Sequence, residues 1–222
     1  MIVTSPNEID VFVEQILDRI NAEFDPEVIP VRIEEFSKPG NCFCNVEEKI
    51  KRSGGKIHLG WVVLKTDLFY EAEQHAVWEN PEGDLVDLTP RNIPFQEVMF
   101  ISQNFEFSGY LDIILINTSN DGLIDDFIQI HEVCEKLYRM GNRVNDDEVQ
   151  VPPYIVPYIN QYEQARTDFN AYIANGGRAG TPCICGAPKI YKNCHGKLIA
   201  QQAVADLAAA LSLHKKNALP LD

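Results

Sequence analysis

Cys183, Cys185, Cys194 and His195 crowd into one short stretch, Thr181-Pro-Cys-Ile-Cys-Gly-Ala-Pro-Lys-Ile-Tyr-Lys-Asn-Cys-His-Gly196, with the spacing C-x-C-x8-C-H. Three thiols and an imidazole are donors that zinc prefers, and four protein ligands complete a tetrahedral shell. The pattern therefore predicts a structural Zn2+ site with no position left open for water or substrate. Such a site forces the chain back on itself over a few residues. Gly186 follows the first ligand pair, where a knuckle needs a tight turn, and Lys189, Tyr191 and Lys192 are polar enough to be expected on its outside. A disulfide is the competing use of these thiols, but two cysteines one residue apart are poorly placed to bridge each other.

The segment from about Pro182 to Lys197 resembles the SEC-C motif, with a C-H ending in place of the equally frequent C-C. The resemblance implies a metal-stabilised interaction knob that binds a protein partner, and it suggests a bacterial or phage-related context. It implies no reaction.

A chain of 222 residues can bury one sizeable core plus an appendage, and 45% hydrophobic with 23% charged residues is ordinary for a folded protein. The net charge of −14 argues against nucleic acid or an anionic membrane as partner, because binding either polyanion relies on Lys and Arg. A local basic patch at Lys189, Lys192 and Lys197 could still meet something acidic. No apolar run is long enough to span a bilayer, and the first ten residues lack the basic start and apolar stretch of a signal peptide. A cytoplasmic location is expected. The remaining cysteines, Cys42, Cys44 and Cys134, form no recognisable disulfide framework and are expected to be reduced, buried or catalytic.

Apolar residues at Ile9, Phe12, Val13, Ile16, Leu17 and Ile20 predict an amphipathic helix with a capping start at Ser5. Val28–Ile33 reads as a short extended piece, and a turn at Lys38-Pro-Gly-Asn leads into a helix from Cys42 that ends at Ser53-Gly-Gly. Strand patterns follow at 56–64, 69–78, 85–88, 98–101 and 111–116, with a hairpin turn at Asn80-Pro-Glu-Gly-Asp. Trp61 and Trp78 are expected to fill core. Helical periodicity takes over at 123–138, 157–173 and 198–214. Asp121, Asp125 and Asp126 are expected to complement the dipole of the first of these helices, and 145–148 reads as a loop. The order predicts an α+β fold.

A second chemical signal lies in the first half. Gly40-Asn41-Cys42-Phe43 places a thiol at a helix N-terminus, where the dipole and free N–H groups favour a thiolate. His75 lies in the strand Glu71-Ala-Glu-Gln-His-Ala-Val-Trp78, and Asp87 lies in Leu85-Val-Asp-Leu-Thr-Pro90 across the hairpin. Strand alternation sends His75 and Asp87 from the same face if the register pairs their strands, so that the imidazole can take the thiol proton and the carboxylate can orient the imidazole. Cys44 is the competing nucleophile, but helical spacing turns it about 200° from Cys42. His58 is the competing base, with Asp67 as its nearby acid. Glu71 and Glu73 alternate with His75 and read as a solvated face or, less simply, as substrate-orienting carboxylates.

These residues resemble the transglutaminase-like branch of the papain-like cysteine enzymes, in which a Gly-x-Cys-aromatic helix start precedes a His-Ala-x-aromatic strand and an Asp-x-Thr strand end. The resemblance covers about Gly40 to Pro90 and implies Cys42 as nucleophile, His75 as general base and Asp87 as orienting acid. Phe43 stands where that family has tryptophan, and no upstream glutamine supplies an oxyanion donor, which leaves Asn41, Asn45 or the N–H of Cys42.

The expected organisation is a papain-like or transglutaminase-like α+β domain at 1–118, a helical segment at 119–177, a SEC-C-like module at 178–200 and a helix with tail at 201–222. Two functions fit: a cysteine hydrolase or acyltransferase acting on an amide or thioester, and a non-catalytic adaptor working through its zinc module.

Overall fold

Asp10, rather than Ser5, caps the first helix, α1 (Val11–Ile20): its carboxylate accepts from the backbone N–H of Phe12 and Val13. Ser5 is engaged elsewhere, donating to the Val63 carbonyl and accepting from the Met99 N–H, so its hydroxyl fastens the N-terminal segment to the sheet instead of starting a helix. The computed structural model describes residues 2–105, 111–145 and 148–218, and the chain divides into two compact units, Met1–Thr118 and Ser119–Asp222.

The first unit is built on an antiparallel sheet of β1 (Glu27–Pro30), β2 (Lys56–Lys65), β3 (Phe69–Glu79), β4 (Leu85–Val86), β5 (Glu97–Ser102) and β6 (Ile113–Asn117), in the order β1-β5-β2-β3-β4 with β6 also on β3. The sheet curls until its ends meet. The Asp87 N–H donates to the Pro30 carbonyl and the Arg32 N–H to the Asp87 carbonyl, joining the end of β4 to the end of β1. Ile29, Val62, Val77, Val98 and Phe100 fill the inward face. Gly60 is required there, because a Cβ would lie 2.4 Å from the Phe100 ring.

On the outward face, Val13, Ile16 and Ile20 of α1 pack on Trp61, Val63, Tyr70, Ala72, Met99 and Ile101. The second helix, α2 (Cys42–Ser53), covers Ala76, Val86 and Leu88 through Cys42 and Val46. Gly40, at φ +72°, makes the turn into α2, and Gly54, at φ +73°, ends it with its N–H on the Ile50 carbonyl. Trp61 is core, whereas Trp78 is only half-buried, its indole N–H donating to the Gly54 carbonyl and its ring facing Lys49.

The second unit holds α3 (Gly122–Tyr138), α4 (Val156–Ala174) and α5 (Ile199–Ala218). The stripe Leu123, Phe127, Ile130, Cys134 and Leu137 forms the buried face of α3. Residues 146–147 of the expected loop lie outside the described residues, and on either side of them β7 (Asn142–Asn145) pairs antiparallel with β8 (Glu148–Gln150). The molecule is thus mixed helix and antiparallel sheet, an α+β arrangement.

Candidate functional site

In the first unit, β2 occupies one edge of β3 along Tyr70–Glu79, so β4 and β6 must share the other. β6 pairs with Phe69–Glu73 and β4 with Trp78–Glu79, which leaves a short stretch of β3 around His75 between them. The N-terminus of α2 packs at this stretch, with Cys42 against Ala76. The hairpin register Trp78↔Val86 puts Val77 opposite Asp87 and makes His75 its diagonal neighbour on the same face.

The imidazole Nε2 of His75 lies 3.0 Å from Asp87 Oδ1, and Cys42 sits near enough to the ring to act on its charge. With Nε2 committed to the carboxylate, Nδ1 is the nitrogen left for sulfur. Asp87 is held by three further contacts: Oδ1 accepts the Thr89 N–H at 2.9 Å, Oδ2 accepts Arg91 Nη1 at 2.6 Å, and its backbone is locked to β1. All three side chains are buried, Cys42 to 4% exposure, His75 to 3% and Asp87 to 0%.

Burial alone would push the His75 pKa down, but the Asp87 charge, the hydrogen bond to it and the contact with Cys42 outweigh burial and raise it to about 10. Asp87 behaves conversely. Its burial favours the neutral acid, yet His75, Arg91 and the Thr89 N–H hold its pKa below the usual carboxylate range. Asp87 thus favours the protonated form of His75, and Arg91 braces the carboxylate on its far side.

Glu71 departs from the solvated face expected of it. It lies on the inward face with His75, is half-buried, and its carboxyl is pushed up to about 7 by burial and by Glu73, against the pull of Arg91. Asn45 is no oxyanion donor. Its Oδ1 accepts the Lys38 N–H at 2.8 Å and its Nδ2 donates to the Lys38 carbonyl at 2.9 Å, so the amide clamps the loop ahead of α2. Asn41 Nδ2 donates to the Pro39 carbonyl at 3.2 Å. Cys44 is half-buried. The acid partner of His58 is Glu79 rather than Asp67, with Nδ1 2.9 Å from Glu79 Oε2. Sequence reasoning missed Arg91 and gave Thr89 no role beyond its place in the Asp-x-Thr strand end. The Asp87-x-x-x-Arg91 spacing was the available signal, but nothing local announces that the turn at Pro90 brings the guanidinium back to the carboxylate.

In the second unit, one ligand atom from each of Cys183, Cys185, Cys194 and His195 lies within 4.8 Å of all the others, close enough to hold a single metal ion. Gly186, at φ +77°, makes the turn after Cys185, and the bridge Pro182↔Ile190 returns the chain. Burial opposes ionisation of Cys183, but the N–H groups of Cys185 and His195, the His195 ring and the Cys185 thiol outweigh it and lower its pKa to about 6. Lys189 and Lys192 are exposed as expected, and the Lys197 side chain lies outside the described residues.

Tyr191 overturns its expected place outside the knuckle. It is fully buried, stacks edge-on to Phe169 at 5.8 Å, and donates its hydroxyl to Asp126 Oδ2 at 2.7 Å. Asp126 is therefore a buried anchor rather than a charge at a helix end. Asp121 does cap α3, through the Leu123 N–H at 2.9 Å, and also accepts the Ala179 N–H at 3.0 Å. The knuckle is fixed to α3 at both points.

No family model, curated protein or solved structure matches the chain. No helix among the described residues is long and apolar enough to cross a membrane.

Proposed function

We propose that the first unit is a papain-like or transglutaminase-like cysteine hydrolase or acyltransferase, acting on an amide or thioester. The observation that carries this reading is the hydrogen-bonded His75–Asp87 pair with the Cys42 thiol beside its imidazole at the N-terminus of α2. The Cys42 proton passes to His75 as Sγ bonds to the carbonyl carbon, the bond to the leaving amine or thiol breaks as that group takes the same proton back from His75, and water or an acceptor amine, deprotonated by His75, resolves the acyl-enzyme. A cation beside a thiol is the setting in which cysteines act as nucleophiles. With the Asn45 amide spent on Lys38, the N–H of Cys42 is the remaining helix-terminal donor for the oxyanion.

The Cys/His cluster of the second unit is read as a SEC-C-like structural zinc site that docks a protein partner, in a cytoplasmic and bacterial setting. Zn–S bonds of ~2.3 Å and Zn–N bonds of ~2.0 Å in a tetrahedron separate two sulfurs by about 3.8 Å and sulfur from nitrogen by about 3.5 Å. The separations Cys185–Cys194, 3.8 Å, and Cys194–His195, 3.7 Å, match those values, while Cys183–His195 is tighter at 3.1 Å. When bound, the ion would supply folding energy rather than chemistry.

The 4% exposure of Cys42 favours a second reading, an inert thiol in a non-catalytic adaptor. Labelling of the native protein with a thiol-reactive electrophile across pH 5 to 9, read by mass spectrometry, separates the two. Selective reaction of Cys42 well below the ordinary thiol pKa of about 8.5 is expected of the enzyme. A folded protein in which Cys42 reacts no faster than Cys44 would end the catalytic reading.

A further inference from the structure

The inward face of β3 carries a further charged side chain, Glu79, four residues beyond His75 toward the hairpin turn. It lies about 13 Å farther along the strand, past Val77. There the registers Lys56↔Glu79 and Gly60↔Ser102 place His58 diagonal to Glu79 on one neighbouring strand and to Ser102 on the other. His58 Nδ1 is 2.9 Å from Glu79 Oε2, and His58 Nε2 is 2.9 Å from Ser102 Oγ. Lys56 Nζ holds the other carboxylate oxygen, Oε1, at 3.0 Å, so Glu79 is fixed with Oε2 facing the imidazole. The ring of His58 also packs on Phe100, centroid to centroid at 6.0 Å.

We propose that Ser102, His58 and Glu79 form a nucleophile site of their own, of the serine-esterase type, which accepts short-chain acyl esters. Donation of Nδ1–H to Glu79 selects the tautomer whose Nε2 lone pair faces the Ser102 hydroxyl, and this is the tautomer a general base must have. His58 is 29% exposed at its side chain and lines an open cleft of about 500 Å3 together with Lys56, Phe43, Ile57, Leu59 and Asn104. Phe43 of α2 and, packed under that helix on the outward side of β2, Ile57 and Leu59 border the cleft there and give the acyl chain an apolar edge, and Asn104 brings an amide that can donate to a carbonyl oxygen. In the reaction, Ser102 Oγ forms a bond to the ester carbonyl carbon while its proton passes to His58 Nε2. The C–O bond to the alkoxide then breaks, and the departing oxygen takes that proton from His58. Water, deprotonated by the same nitrogen, releases the acid and restores Ser102.

The test uses the full chain carrying Cys42→Ala, so that thiol chemistry at the first site cannot contribute, with a fluorophosphonate probe and p-nitrophenyl acetate as reagents. One phosphonyl adduct on Ser102 is expected, absent in Ser102→Ala. Ester turnover is expected to fall by roughly a hundredfold or more in Ser102→Ala and in His58→Gln, and less in Glu79→Gln. Circular dichroism melts establish that each variant is folded. A folded Cys42→Ala protein that takes no adduct overturns the proposal, as does an adduct or ester turnover that survives Ser102→Ala. Neither result bears on Cys42, whose own labelling is read in the wild type.

Discussion

The Cys42 site and the Cys/His cluster use similar side chains under opposite constraints. The cluster draws all its ligands from 183–195, so a turn at Gly186 and one bridge bring the donor atoms within 4.8 Å of one another. The Cys42 site draws on a helix start, a long strand and a hairpin return, at positions 42, 75 and 87, and exists only when β3 and β4 hold their register. The charge handling also differs. Asp87 is wholly buried and neutralised by two side chains and one N–H, whereas Cys185 of the cluster is exposed and its donor set is suited to a cation from outside the chain. Local motifs can be completed by a ligand; long-range sites must be completed by the fold.

Metal removal should break the comparison most sharply. Structural zinc contributes on the order of 10 kcal/mol or more in small knuckles. Cys183→Ser or Cys194→Ser is expected to abolish metal content, read as about one ion per chain by elemental analysis in the wild type, and to expose Tyr191. Thermal unfolding of the Met1–Thr118 unit should not move. A first unit that melts early in these variants would show that the two sites are not energetically separate.

Next in size is Asp87→Ala, which leaves the buried His75 and the half-buried Arg91 without their counter-ion. Loss of one partner of a buried pair costs about 3–5 kcal/mol, and urea denaturation should show it. The pH dependence has a definite sign. The His75 pKa is raised from 6.5 to about 10, so its contribution is complete below pH 6.5 and is lost as pH rises toward 10. The Asp87 pKa is lowered from 3.8, so its contribution is present above that pH and is lost on further acidification. Wild-type stability should therefore decline on the alkaline side, and Asp87→Ala should flatten that limb. An unchanged alkaline limb would mean that the ion pair does not set it.

Smaller effects sharpen the contrast. Tyr191→Phe strands the half of Asp126 that accepts its hydroxyl and should cost about 2 kcal/mol in the second unit. Glu71→Gln acts in the opposite direction. A carboxyl raised from 4.5 to about 7 loses stability as pH rises through that window, so the amide should stabilise the first unit by about 1 kcal/mol above pH 7 and change little at pH 4. Equal stabilisation at both pH values would trace the effect to something other than ionisation.

Much of this was legible in the chain because it is local. The helix from Cys42 to Ser53, the strands on either side of the Asn80 turn and the α3 stripe follow from periodicity and punctuation, and the cluster follows from spacing. The misreadings share a cause. Ser5, Tyr191, Glu71 and His58 each took the partner nearest in sequence or the polarity usual for its type, while the folded chain supplied Val63, Asp126, an inward face and Glu79.

What the sequence determined by itself is the main helices and the strands of the first unit, the α+β order and the ligand cluster, since hydrogen-bonded turns, alternation and donor spacing act over a few residues. What only the tertiary structure decided is which polar groups are buried together: Arg91 behind Asp87, Asp126 under Tyr191, and Ser102 beside His58. Those pairings depend on the curl of the sheet and the packing of α3. A side chain removed from water must find whichever partner the fold has brought within reach.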